Sequence, residues 1–129
     1  MHTILIFDDN AADCALIQRT VAGSEYRLHE ARNLDAFCRQ MRLHSIDLAI
    51  IALASVRDKD VETVLEALRH TTDTKVMALA RERGDGLTTL LRAESLHAHH
   101  LLAKPIDPHQ LLTMLSLTFP LPIPQDELR

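Results

Sequence analysis

Few residues in this chain are of types that do chemistry. Asp8 and Asp9 stand side by side after an apolar run, and Lys104 precedes Pro105 after another. Adjacent carboxylates at a strand end are oxygen donors for a hard cation such as magnesium, and they repel each other unless a positive charge answers them. Lys104 is the candidate to bridge to Asp8 or Asp9, with Arg81 a second cation at hand. A purely structural role is open as well, because acids at a helix N-terminus interact well with the helix dipole. His97, His99 and His100 cluster, but Glu94 alone lies near them at ligand spacing, which falls short of a metal-ligand set. Gly84-Asp85-Gly86 is too poor in glycine to serve as a phosphate cradle.

The elements that must position these residues follow from the apolar pattern. Asp47 to Leu53 is a nearly unbroken apolar run, too short for an isolated helix and without period-two alternation. It reads as a strand covered on both faces, as in the middle of a parallel sheet, with its carboxyl end at Ala52. Chemistry in an open α/β sheet gathers beyond such ends, and Ala52 has none to offer. Thr3 to Phe7 predicts another buried strand, followed by a helix from Ala11 to about Ala22 capped by Asn10 or Asp9. Cys14, Ile17 and Val21 form its inward stripe, and Gly23 suits its left-handed end. Tyr26 to Glu30 alternates, as an edge strand does, and Asn33 caps a second helix with Leu34, Phe37 and Met41 facing in.

Leu53 to Lys59 reads as a polar loop, and Val61, Val64, Leu65 and Leu68 mark a third helix. Lys75 to Ala80 predicts a fourth strand, Arg81 to Gly86 a loop, and Leu87, Leu90 and Leu91 a fourth helix. His99 to Ala103 predicts a short fifth strand. Leu111, Leu112, Leu115 and Leu117 belong to a closing helix entered near Asp107-Pro108. Strand and helix alternating in this way demand parallel strands with right-handed crossovers. The expected fold is a doubly wound α/β domain over residues 1–118, sheet order 2-1-3-4-5, with helices on both faces. Residues 119–129, with Pro120, Pro122 and Pro124, read as a linker or tail. Cys14 and Cys38 fall on helices that cover opposite faces, out of disulfide reach.

Composition narrows the function classes. Hydrophobic residues make up 47% of the 129-residue chain, which excludes a disordered polypeptide, and aromatics only 3%, so the core is aliphatic. A net charge of −4 with scattered lysines and arginines argues against direct nucleic-acid binding. No apolar run is long enough to span a membrane, and Asp8 and Asp9 arrive too early for a signal peptide. A cytoplasmic protein with reduced thiols is the expectation.

The chain resembles the receiver domain of bacterial two-component response regulators over residues 2–118. The residues that carry the likeness are Ile4-Leu5-Ile6-Phe7-Asp8-Asp9-Asn10, Glu30-Ala31 and Ala36, Asp47-Leu48, and Leu102-Ala103-Lys104-Pro105-Ile106-Asp107. The resemblance implies a flavodoxin-like fold and an acid pair that holds magnesium. It implies a carboxylate ending the third strand that accepts a phosphoryl group, with a Thr or Ser ending the fourth strand to bond it. It also implies a lysine that neutralises the phosphoryl group and a switching aromatic in the fifth strand. Carried over, Asp8 and Asp9 match the acid pair and Lys104 the lysine. The acceptor falls on Ala52, the hydroxyl on Ala80, the aromatic on Leu101, and the usual Pro and Gly on Val56 and Asp60. A cis bond before Pro105 is a further feature of the family.

The expectation is therefore a degenerate receiver: no catalytic residue, no cofactor beyond weakly held magnesium on Asp8 and Asp9, and a pocket of Asp8, Asp9 and Lys104. A methyl group is no nucleophile, so residue 52 forms no acyl phosphate. The function implied is phosphorylation-independent protein interaction, through the surface of the fourth helix, fifth strand and fifth helix, with a partner protein or a second copy. The alternatives are an active receiver phosphorylated on another carboxylate, such as Asp8 or Asp9, and a small phosphoanion-binding module built around Gly84-Asp85-Gly86.

Overall fold

The computed structural model describes residues 2–70, 73–81 and 86–120, the side chains of 86–90 excepted. The loop expected around Gly84-Asp85, the inward roles of Leu87 and Leu90, and the tail expected beyond Pro120 lie outside the described residues.

The chain alternates β1 (His2–Phe7), α1 (Ala11–Val21), β2 (Tyr26–Ala31), α2 (Leu34–Leu43), β3 (Leu48–Ala52), α3 (Val61–Arg69), β4 (Lys75–Arg81), α4 (Gly86–Ser95), β5 (His100–Lys104) and α5 (Pro108–Thr118). The five strands are parallel in the order β2-β1-β3-β4-β5, with β2 at an edge as its alternation requires.

The two faces of the sheet each bury an apolar layer, and strand periodicity divides the residues between them. Ile4, Ile6, Leu48, Ile50, Met77 and Leu79 pack against Cys14, Ile17 and Val21 of α1 and Leu111 and Leu115 of α5. Leu5, Phe7, Ala49, Ile51, Val76 and Ala78 pack against Phe37 and Met41 of α2, Val64 and Leu65 of α3, and Ala93 and Leu96 near the end of α4. β3 is buried along its whole length, which is why it carries no polar alternation. Cys14 and Cys38 belong to opposite layers and are free thiols.

Helix starts follow their capping residues. Asn10 Oδ1 accepts the Asp13 N–H at 3.0 Å, and Asn33 Oδ1 accepts the Ala36 N–H at 2.8 Å. Asp107 Oδ1 accepts the His109 N–H at 2.9 Å, with Pro108 in the first turn of α5. Gly23 closes α1 with φ +81°, in the left-handed region.

The structure departs from the sequence expectation in four places. β4 runs through Arg81 and α4 begins at Gly86, both expected in the loop between them. Leu53 to Lys59 is no polar loop: Leu53–Ser55 and Asp58–Asp60 are 3-10 turns, and Leu53 and Val56 are buried in the core. The absence of Gly and Pro there fits a compact turn held by apolar anchors. β5 begins at His100 and extends through Lys104, one residue later than the apolar run suggested. Phe119, expected to open the linker, closes α5 instead: its N–H donates to the Leu115 carbonyl and its ring packs on the α1–α5 layer. No described helix is long and apolar enough to cross a membrane.

Candidate functional site

Parallel pairing brings the carboxyl ends of the strands to one edge of the sheet. Phe7 is level with Ile51, so Asp8 and Ala52, one step further on, end their strands side by side. Ala52 pairs with Leu79, and Arg81 pairs with Lys104. The acid that opens the third-strand run, Asp47, lies at the opposite end. Its Oδ2 accepts the Thr3 N–H at 2.8 Å. No slip of register puts that carboxylate beside Asp8.

Asp8 is buried, only 1% exposed, and both of its oxygens are engaged. Oδ1 accepts the Asn10 N–H at 3.0 Å, and Oδ2 lies 2.8 Å from Lys104 Nζ. The same ammonium lies 2.7 Å from Oδ2 of Asp13, in the first turn of α1. Burial favours the neutral lysine, but hydrogen bonds and charge from Asp13 and Asp8 outweigh it and raise the Lys104 pKa above its ordinary value. Asp9 is exposed, its N–H donating to Ser55 Oγ at 3.1 Å. Asp8, Asp9, Asp13 and Lys104, with Asn10, Ala54, Arg81 and Pro105, line an open pocket of about 450 Å³. The Lys104–Pro105 peptide bond is cis.

The structure thus unites Asp8, Asp9 and Lys104 in one pocket, with Arg81 on its wall. Ala52 and Ala80 stay in the apolar layers and present no polar atom to it. Asp13 was not singled out in the sequence. The Asn10 cap was legible, but a cap alone does not show that the acid three residues on meets a lysine. Capping turns Asp13 into the first turn of α1, whose start lies beside Asp8. Cys14 follows it, and its Sγ donates to the Asp8 carbonyl at 3.4 Å. Burial first, then the charges of Glu30 and Asp8, push this thiol up to about 12, so it stays protonated. His97, His99 and His100 lie elsewhere. His99 Nδ1 accepts the Val76 N–H at 3.1 Å, as part of the junction between β4 and β5.

As arranged, the pocket does not fit a magnesium ion. Magnesium demands near-octahedral oxygen donors. Here an ammonium already sits between Asp8 and Asp13, the second Asp8 oxygen is taken by a backbone N–H, and the end of β3 contributes a methyl group.

No family model matches the sequence, and no curated protein matches it either. Solved structures match its fold. The signal receiver domain of an HD domain-containing protein from Pseudomonas fluorescens Pf-5 superposes with a TM-score of 0.79 at 20% identity, over 91% of this chain and 85% of that one. A CheY-like response regulator receiver domain protein from Methanospirillum hungatei JF-1 gives 0.77 at 17% identity, over 91% and 92%. A chain from Burkholderia thailandensis E264 with the provisional name of a pilus assembly protein gives 0.75 at 18%, over 92% and 98%. The chain therefore has the fold of receiver domains, the flavodoxin-like five-stranded arrangement that the sequence implied.

Proposed function

We propose that this chain is a receiver-type domain of two-component signalling that works without phosphoryl transfer, as a protein-interaction module and not an enzyme. The observation that carries the reading is Lys104, held between Asp8 and Asp13 at a sheet edge where β3 ends in Ala52. An acyl phosphate needs a carboxylate nucleophile, a cation to neutralise the incoming oxygens and an acid pair free for metal. Ala52 removes the first, and the internal ion pairs engage the cation and one member of the acid pair, Asp8. The lysine stands in for the metal beside Asp8 and Asp13.

The interaction surface on this reading is the side formed by α4, β5 and α5, where Leu91, Leu101 and Leu112 are exposed. A partner protein or a second copy of the chain docks there. The absence of clustered positive charge disfavours nucleic acid. With no membrane-crossing helix among the described residues, we place its work in the cytoplasm.

A second reading has one observation in its favour. Asp9 is exposed on the pocket and makes no ion pair among the described residues, so a small phosphodonor can reach it. One experiment separates the two. The protein is incubated with acetyl phosphate and magnesium, its mass is measured, and any adduct is mapped by peptide. An unchanged mass is expected. A stoichiometric, hydroxylamine-labile phosphoryl adduct overturns the proposal, and its position identifies the carboxylate used.

A further inference from the structure

One side chain of α4 reaches across to the segment that follows β3. Among the described residues, the helix's principal packing partner is the turn Leu53–Ser55. Its inward residues there are Ala93 and, just past its end, Leu96. Arg92 lies beside them, its side chain 20% exposed. One guanidinium nitrogen donates to the Leu53 carbonyl at 3.3 Å, and the other pairs with the Asp58 carboxylate. Leu53 is the residue directly after Ala52, and its carbonyl also accepts the Val56 N–H at 3.2 Å. The guanidinium therefore engages both 3-10 turns between β3 and α3 at once, through a planar fork that lysine cannot reproduce. The exposed Leu91 is the next residue on the helix.

We propose that Arg92 is a positioning residue that fastens α4 to the Leu53–Asp60 segment, so that the end of β3 and the exposed face of α4 keep one fixed relation. The anchor is chiefly the Leu53 carbonyl. Asp58 is 92% exposed, and an ion pair with so open a carboxylate contributes little. A shift of the turn after Ala52 breaks the Arg92 contacts and releases α4, and a shift of α4 loosens the turn. This link is independent of whether any residue accepts a phosphoryl group, so its failure leaves the functional reading above intact.

Hydrogen exchange of the whole chain, read by mass spectrometry, tests it. In Arg92→Ala, peptides covering 91–96 and 53–60 exchange about fivefold faster, as loss of a charge-assisted hydrogen bond implies, while β1 and α1 are unchanged. Arg92→Lys keeps stem and charge and gives an intermediate rise in the same two segments. It also carries the test should the alanine variant not fold. Asp58→Asn changes either segment by less than about twofold. No acceleration in the Arg92 variants, acceleration in only one of the two segments, or a uniform rise over the whole chain overturns the proposal. An Asp58→Asn effect as large as that of Arg92→Ala overturns the carbonyl as its anchor.

Discussion

Lys104 Nζ lies 2.7 Å from Asp13 Oδ2, so the last residue of β5 is ion-paired to the first turn of α1 across the mouth of the pocket. The same nitrogen reaches the buried Asp8 at 2.8 Å. One cation thus satisfies two acids that otherwise repel each other.

Removing that cation leaves a buried carboxylate without its partner. Lys104→Met lowers unfolding free energy by about 3 kcal/mol, measured by urea denaturation at neutral pH. Asp13→Asn costs about 1 kcal/mol, because Lys104 keeps Asp8 and Asp13 is partly solvated. The pH dependence has a definite sign. The Lys104 pKa is raised in the fold above 10.5, so its contribution is complete below that pH and fades as pH climbs through the folded value. The wild-type protein loses its advantage over Lys104→Met in that alkaline window, and an advantage that persists unchanged there counts against the ion pair.

Magnesium and the lysine compete for the same oxygens. Millimolar magnesium shifts the melting temperature of the wild-type protein by less than about 1 °C, since a ligand stabilises only the state it binds. Lys104→Ala frees Asp8 and Asp13 and gains a magnesium-dependent rise in melting temperature. Thermal denaturation with calcium as a control reads both, and magnesium stabilisation of the wild type contradicts the arrangement.

Restoring a carboxylate at the end of β3 is costly in this setting. Ala52 is 1% exposed and belongs to the α1–α5 apolar layer, level with Asp8. Ala52→Asp destabilises the fold by about 3 kcal/mol near neutral pH, through desolvation and repulsion from Asp8. Desolvation and repulsion raise the pKa of the new carboxyl in the fold, so the loss shrinks as pH falls through that raised value and is smallest below about 4, where both states carry the proton. Urea unfolding at both pH values checks the sign.

A second titrating element sits on the other face. His29 of β2 stacks on His44, which caps the end of α2, with ring centroids 3.9 Å apart. Burial first, then the neighbouring charges of His44 and Arg27, lower the His29 pKa below 6.5. A depressed histidine contributes stability above 6.5 that is lost as pH falls through the folded value. Stability therefore declines on mild acidification, and His44→Asn flattens that decline. An equally steep slope in the variant refutes the coupling.

The sheet order was legible because β1 and β3 are apolar on both faces while β2 alternates, which puts β2 at an edge and makes 2-1-3-4-5 the natural order. The pocket was legible through Asp8, Asp9 and Lys104, whose positions follow from strand ends. Asp13 was not, because its role depends on how far the Asn10 cap turns α1 toward β5, a distance in space that spacing alone does not give. Leu53 and Val56 were misjudged for a related reason. Leu53 ends the third-strand run and Val56 stands alone among polar residues, so neither carries a period, and only the α3 and α4 packing shows that they are anchors. Phe119 was hidden behind the prolines that follow it.

Phe119 has a consequence for how the two ends of the domain communicate. Its ring stacks on His2 at 4.0 Å and lies 6.0 Å from the Tyr26 ring, while Lys75 Nζ donates to the adjoining Thr118 carbonyl at 3.0 Å. The end of α5 is thereby riveted to the floor of the sheet. α5 runs from the acid pocket to that floor, about 16 Å of rigid rod. A torque applied at Phe119 has α5 as its shaft, and the Lys104 clasp sits at the far bearing.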